Sequence, residues 1–311
     1  MPLFQTSAEK PEVQLLRIFL MIVPALISCK TDDSDRKDPR NPDGIPDKNR
    51  VTVAAVQCPS RMGDKEYNRK LLASLIRKAA REGAEIIVTP ECSVTGYMDP
   101  ARGIVWSRKP DGEDDEKDIT SAAETVPGPS TRFFCELARS FRIYLCISLA
   151  EHEKGSFYNT QVLISPKGSI IGHHRKKNLW PVGDSSWAEK GDLPIVCVDT
   201  PYGRIGLMIC YDLHLLPAQL ETAGADIICY SIGWYGLETR NFFRHVFAER
   251  YVKPNSFSVI GANWASEKEG PDWSGTGASF VMSPDGTVKA MARTRRGSEI
   301  VLSSLRRRKY E

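Results

Sequence analysis

The chain has 311 residues, of which 41% are hydrophobic and 26% charged, an ordinary composition for a soluble globular protein of one large domain or two smaller ones. A formal charge of +3 is too small to point to a nucleic-acid partner, and the basic end Arg306-Arg307-Arg308-Lys309 reads as a solvated tail. Eight cysteines with no CxxC pair, most inside apolar runs such as residues 143–147, argue against a zinc site or a disulfide framework.

At the N-terminal end, residues 15–27 are mostly apolar but too short for a convincing membrane span. They end in Leu26-Ile27-Ser28-Cys29, which resembles a bacterial lipoprotein signal with a lipid anchor at Cys29. Residues 1–29 are therefore a candidate signal, and the charged residues 30–50 a tether that would hold the protein at the cell envelope. Glu9 and Glu12 are unusual for the leading region of such a signal. The alternative is an uncleaved N-terminal helix on a cytoplasmic enzyme.

From residue 51 onward, strands and helices alternate. Residues 51–56 form a β-branched, alanine-rich strand, and residues 67–82 a helix with Leu71, Leu72, Leu75, Ile76 and Ala79 on one face. A short strand at 85–89 is closed by Pro90, and the acidic segment 111–116 reads as a solvated insertion. Residues 130–141 read as a helix capped by Ser130, followed by a strand at 143–150 and a hairpin turning at Pro166-Lys167-Gly168. The second half repeats the theme. Strands at 195–198 and 204–209 are followed by a helix at 217–223, a strand at 226–230, a helix at 239–252 and a strand at 256–262. A final hairpin turns at Pro284-Asp285-Gly286. The pattern predicts one α/β domain over 51–305, with sheets covered by helices and a basic tail at 306–311.

Four of these strands run into a reactive side chain: Glu91, Glu151, Lys176 (within His173-His174-Arg175-Lys176) and Cys210. Ligand sites in open α/β sheets gather beyond the carboxyl ends of strands. A thiol of pKa ~8.5 needs a base to become a nucleophile, and Glu91 is of the right type. Lys176 and a backbone N–H after Cys210 suit an oxyanion, where losing one donor typically costs ~10²–10³ in rate. Cys58 also ends a strand, and spacing alone does not rank it below Cys210.

Pro90-Glu91-Cys92-Ser93-Val94-Thr95-Gly96-Tyr97, His174-Arg175-Lys176-Lys177-Asn178-Leu179-Trp180 and Gly206-Leu207-Met208-Ile209-Cys210-Tyr211-Asp212 resemble, in order, the base, lysine and nucleophile segments of the nitrilase superfamily of carbon–nitrogen hydrolases. Phe157-Tyr158-Asn159-Thr160, after Glu151, resembles the hairpin following that family's second glutamate. The resemblance spans nearly all of 51–305. It implies a four-layer α-β-β-α sandwich, Cys210 as nucleophile, Glu91 as base, Lys176 as oxyanion stabiliser, and Glu151 as a second active-site carboxylate that orients Lys176 or assists proton transfer. It implies no role for Cys58, no metal and no cofactor, and a homodimer or larger homo-oligomer paired through helices beside the site. Tyr97, Tyr211 and Trp234 are the candidate substrate-binding residues.

The expected reaction is hydrolysis of a small amide or carbamoyl compound through a cysteine thioester, with release of ammonia or an amine. Cys210-Tyr211-Asp212 looks more like the amidase and carbamoyl-hydrolase branches than the true nitrilases, which tend to carry Trp-Glu after the cysteine. His214 stands where ω-amidase-like members often have arginine, which argues against a dicarboxylate monoamide. Competing readings are a true nitrilase, a papain-like hydrolase using His214, and a catalytically silent binding protein of the same fold. Gly275-Thr276-Gly277 precedes a strand, so it lacks the context of a dinucleotide loop.

Overall fold

A computed structural model describes residues 49–99, 104–108, 118–236, 238–267 and 275–307. The candidate signal with Cys29, all but the end of the charged tether, the acidic segment 111–116, and Arg308 and Lys309 lie outside the described residues.

The first half builds one sheet. Strand β1 (Arg50–Gln57) is buried at every position from Val53 on, as befits a strand covered on both faces. Helix α1 (Lys65–Arg81) starts at Asp64, whose side chain accepts the Tyr67 N–H at 3.0 Å. Its buried stripe of Leu72, Ile76 and Ala79 follows helical spacing, each large apolar side chain contributing about 1.5–3 kcal/mol on burial. After β2 (Ile86–Val88) come the short antiparallel strands β3 (Met98–Asp99) and β4 (Ile104–Val105). Helix α2 (Pro129–Phe141) begins one residue earlier than expected: Pro129 takes its first turn, and Ser130 is not the cap. The Glu124 carboxylate instead accepts both the Ser130 N–H at 2.7 Å and its hydroxyl at 3.0 Å. Strands β5 (Tyr144–Glu153), β6 (Ser156–Ile164) and β7 (Ile170–Arg175) then run as an antiparallel meander.

The second half builds another sheet. Strand β8 (Cys197–Thr200) pairs with β9 (Gly203–Ile209), which feeds a 3₁₀ turn over Cys210–His214 and helix α3 (Pro217–Thr222). Strand β10 (Ile227–Ile232) leads to helix α4 (Thr239–Asn241), which continues as a π-type helix over Phe242–Val252. Strand β11 (Ser258–Asn263), the hairpin β12 (Phe280–Met282) and β13 (Val288–Met291), and β14 (Glu299–Arg306) complete the order.

The sheets run β14-β1-β2-β5-β6-β7 and β13-β12-β11-β10-β9-β8, each with three parallel strands at its centre. Val53, Ala55 and Val88 of the first pack directly against Leu207, Cys229 and Ile260 of the second. Helices α1 and α2 cover the outer face of one sheet, while α3 and the π-type helix cover the other. This is the expected α-β-β-α sandwich.

Two expectations change. Strand β14 was not foreseen; it returns to the first sheet, with Leu305 opposite Val51. The start of the basic tail is also tied to the fold, although Arg306 stays exposed. Arg306 pairs with Arg50 in the ladder, and Arg307 lies 4.6 Å over the Tyr202 ring and 3.5 Å from Glu85.

Candidate active site

The carboxyl ends of β2 and β10 meet where the Glu91 N–H donates to the Ile232 carbonyl at 3.3 Å. The Glu91 side chain points into the protein and is wholly buried. Its Oε1 accepts from Lys176 Nζ at 2.6 Å and Asn159 Nδ2 at 2.7 Å. Its Oε2 is buried with no hydrogen-bond partner among the described residues. Burial raises the Glu91 carboxyl to about 7 against the opposing pull of the Lys176 ammonium.

Lys176 follows β7 and is equally buried. Its N–H donates to the Asn159 carbonyl and its own carbonyl accepts from Gly191, both at 2.8 Å, so the backbone holds it on two sides. Its ammonium bonds Asp184 Oδ2 at 2.5 Å as well as Glu91. Burial pushes the ammonium down, but Asp184 and Glu91 outweigh this and hold it well above the usual lysine range. Asp184 is fixed in turn by the Trp180 N–H at 2.9 Å and Asn159 Nδ2 at 3.0 Å. Asn159 thus bridges both carboxylates that share the lysine.

Cys210 sits at the turn from β9 into the 3₁₀ segment, with φ at +37, in the left-handed region that side chains rarely adopt. Asp212 holds that turn: its Oδ2 accepts from the Ile209 N–H at 3.2 Å and faces His174 Nε2 at 2.8 Å. Its Oδ1 accepts from the Lys177 and Asn178 N–H groups at 2.9 and 2.8 Å. The same carboxylate therefore ties the cysteine turn to the lysine loop. Burial pushes the Cys210 thiol well up, as does the nearby Glu91 carboxylate; Lys176 and the Gly233 N–H act in the opposite sense.

Gly233 links the parts. A Cβ there would lie 2.3 Å from Glu91 Oε2 and 2.8 Å from the Tyr97 ring, so only glycine lets the carboxylate approach the same backbone segment that meets the cysteine. In front of Cys210 and Gly233 opens a pocket of about 240 Å³ walled by Tyr97, Trp180, Tyr211, Trp234 and Tyr235. The thiol faces this space, while Glu91, Lys176 and Asp184 stand behind it.

Glu91, Lys176 and Cys210 thus converge, and Tyr97, Tyr211 and Trp234 line the pocket as expected. Glu151 does not join them. Strand β5 runs through it to Glu153, and its carboxylate bonds Thr160 Oγ1 at 2.6 Å, His173 Nε2 at 2.8 Å and Arg175 Nη2 at 2.5 Å. Side chains alternate along β7, so His173 and Arg175 meet Glu151 on one face while His174 and Lys176 turn to the other. The carboxylate that orients Lys176 is Asp184. His214 stays outside the pocket wall, its ring 4.6 Å from that of Tyr211 and its Nδ1 3.2 Å from the Tyr251 hydroxyl. Cys58 is buried against α1, its thiol pushed up to about 12 by burial alone. Asp184, Asn159 and Gly233 were missed as site residues. The only sequence signal for Asp184 is its place in the polar turn eight residues beyond Lys176.

The sequence model of carbon–nitrogen hydrolases matches residues 52–310. The omega-amidase NIT2 of Mus musculus is 30% identical over 241 residues, covering 74% of this chain and 80% of its own. Nitrilase 1 of Arabidopsis thaliana is 26% identical over 264 residues, covering 79% and 76%. Among solved structures, Nit3 of Saccharomyces cerevisiae superposes with a TM-score of 0.66 at 26% identity, covering 83% of this chain and 90% of that one. An amidase from Nesterenkonia sp. superposes at 0.68 with 18% identity, covering 82% and 90%, which bears on the fold. With the family match spanning nearly the whole sandwich, the chain belongs to the carbon–nitrogen hydrolase family and is an enzyme of that class.

Proposed function

We propose that this enzyme hydrolyses the carbon–nitrogen bond of a small amide or carbamoyl compound through a thioester on Cys210. The observation that carries the reading is the convergence of Cys210 with a buried Glu91–Lys176–Asp184 cluster behind one small pocket. Glu91, with its carboxyl raised to about 7, takes the thiol proton, and the sulfur attacks the carbonyl carbon. Negative charge grows on the oxygen, where the Lys176 ammonium and a backbone N–H stabilise it. The C–N bond breaks as Glu91 returns the proton to the leaving nitrogen, and ammonia or an amine departs. Water then gives a proton to Glu91 and attacks the thioester. The C–S bond breaks, leaving an acid and the free thiol. Asp184 and Asn159 act on Lys176 and Glu91 by position.

Relatives named nitrilases favour a second reading, in which the same thiol attacks a nitrile carbon. Feeding a nitrile and its matching amide, with ammonia release measured for the wild type and Cys210→Ala, separates the two. Turnover of the amide that depends on Cys210 supports the proposal. Turnover of the nitrile alone replaces it with the second reading, and turnover that survives Cys210→Ala removes both.

A further inference from the structure

We infer that the acyl half of the substrate is neutral and apolar, a small aliphatic or aromatic group lying against flat aromatic walls. This rests on the amide-hydrolase reading above and narrows it to a substrate class. The walls are held rigidly. Trp234 stacks on Phe242 with ring centroids 4.4 Å apart, its backbone N–H donates to Asn263 Oδ1 at 2.9 Å, and its backbone carbonyl accepts from the Asn263 amide and the Trp264 indole at 3.1 Å each. Trp180 meets Tyr235 edge-on at 5.6 Å, and its ring lies where a Cβ on Gly183 would be only 2.4 Å away. Pre-set aromatic faces take up apolar groups with little ordering cost.

Charge points the same way. Among the described residues, no charged side chain lines the pocket. Lys176, behind it, is already shared between two carboxylates, and its remaining N–H serves the oxyanion in the reaction above, so none is left for a charge on the acyl chain. The nearby His214 turns toward Tyr211 and Tyr251. A carboxylate on the acyl chain would lose its water and, among the described residues, gain no cationic partner from the pocket wall. At about 240 Å³ the space lies below the ~300–1,000 Å³ of sites for drug-sized ligands, so the acyl group is short or a single ring.

The test compares amides of similar size on the full-length enzyme: pentanamide and phenylacetamide against 4-carbamoylbutanoate and 5-aminopentanamide. The neutral pair is expected to exceed both charged amides in kcat/KM by about 100-fold, the scale of an unpaired charge in an apolar site. Tyr235→Arg, which adds a cation to the wall, is expected to move the preference toward 4-carbamoylbutanoate by about 10-fold or more. Binding to Cys210→Ala, followed by tryptophan fluorescence, ranks the same amides without chemistry. Equal or better turnover and binding of either charged amide overturns the inference. If wild type turns over none of them while Cys210→Ala still prefers pentanamide to 4-carbamoylbutanoate, the amide-hydrolase reading fails and the pocket inference stands.

Discussion

Two buried ionic clusters lie on opposite faces of the end of β7, and they have opposite characters. On one face, Glu151 receives Thr160, His173 and Arg175, and these hydrogen bonds and charges overcome burial to hold its carboxyl at about 2. On the other, Glu91 shares one ammonium with Asp184 and keeps an oxygen without a partner, and burial raises its carboxyl to about 7. Each cluster sets a buried glutamate against a buried basic side chain, Arg175 in one and Lys176 in the other. What differs is satisfaction: the fully bonded carboxylate is fixed in its charged form, while the under-bonded one is poised to exchange a proton near neutral pH. The first suits structure and the second suits catalysis.

Substitutions probe that contrast. The largest expected effect comes from Cys210→Ala, which should lower kcat by on the order of 10⁴–10⁶-fold in an ammonia-release assay, with the far-ultraviolet circular dichroism unchanged. Glu151→Gln should act on stability instead. It removes the buried one of the three carboxylates that Arg175 bonds, Glu153 and Asp192 remaining, and should cost about 2 kcal/mol in urea unfolding, with kcat falling less than about threefold. A kcat loss as large as that of Lys176→Ala would return Glu151 to the catalytic set.

The smaller effects concern pH. The proposed base, Glu91, works in its ionised form, so kcat/KM should fall on the acid side with an apparent pKa about 7. Asp184 is among the groups that raise Glu91, so Asp184→Asn should move that limb to lower pH while reducing kcat by about 10-fold. An unmoved limb would mean that another group controls it. The two clusters also differ in linkage. Glu151 has a folded value below its unfolded one, so its stabilisation is present above about pH 4.5 and is lost as pH falls toward 2. Glu91 is raised, so its burial penalises the fold increasingly between about pH 4.5 and 7.

Much of this was legible in the chain. Strand endings and the motif order pointed to Glu91, Lys176 and Cys210, which the fold brings together; alternation of elements gave an α/β domain, and the family resemblance gave its four layers. Asp184 was not legible, because its role depends on a loop folding back so that its carboxylate reaches Lys176 and its neighbour Trp180 closes the turn. Glu151 misled because the strand reading stopped at Ala150. Once β5 continues to Glu153, side-chain alternation directs its carboxylate to Arg175. Strand β14 escaped notice because Ser303 and Ser304 interrupt its apolar pattern, and its pairing with β1 spans almost the whole domain. Gly233 carries no sequence signal; its need for a bare Cα appears only when Glu91 and Tyr97 pack against it.

The central claim is that Cys210 carries the acyl group during turnover. Wild-type enzyme mixed with a turned-over amide, quenched in acid within the first turnovers and analysed by intact mass and peptide mapping, tests it directly. The added acyl mass is expected on the peptide containing Cys210 and is expected to be absent in Cys210→Ala. Turnover with no adduct on that peptide, or an adduct on the peptide containing Cys58, would contradict it.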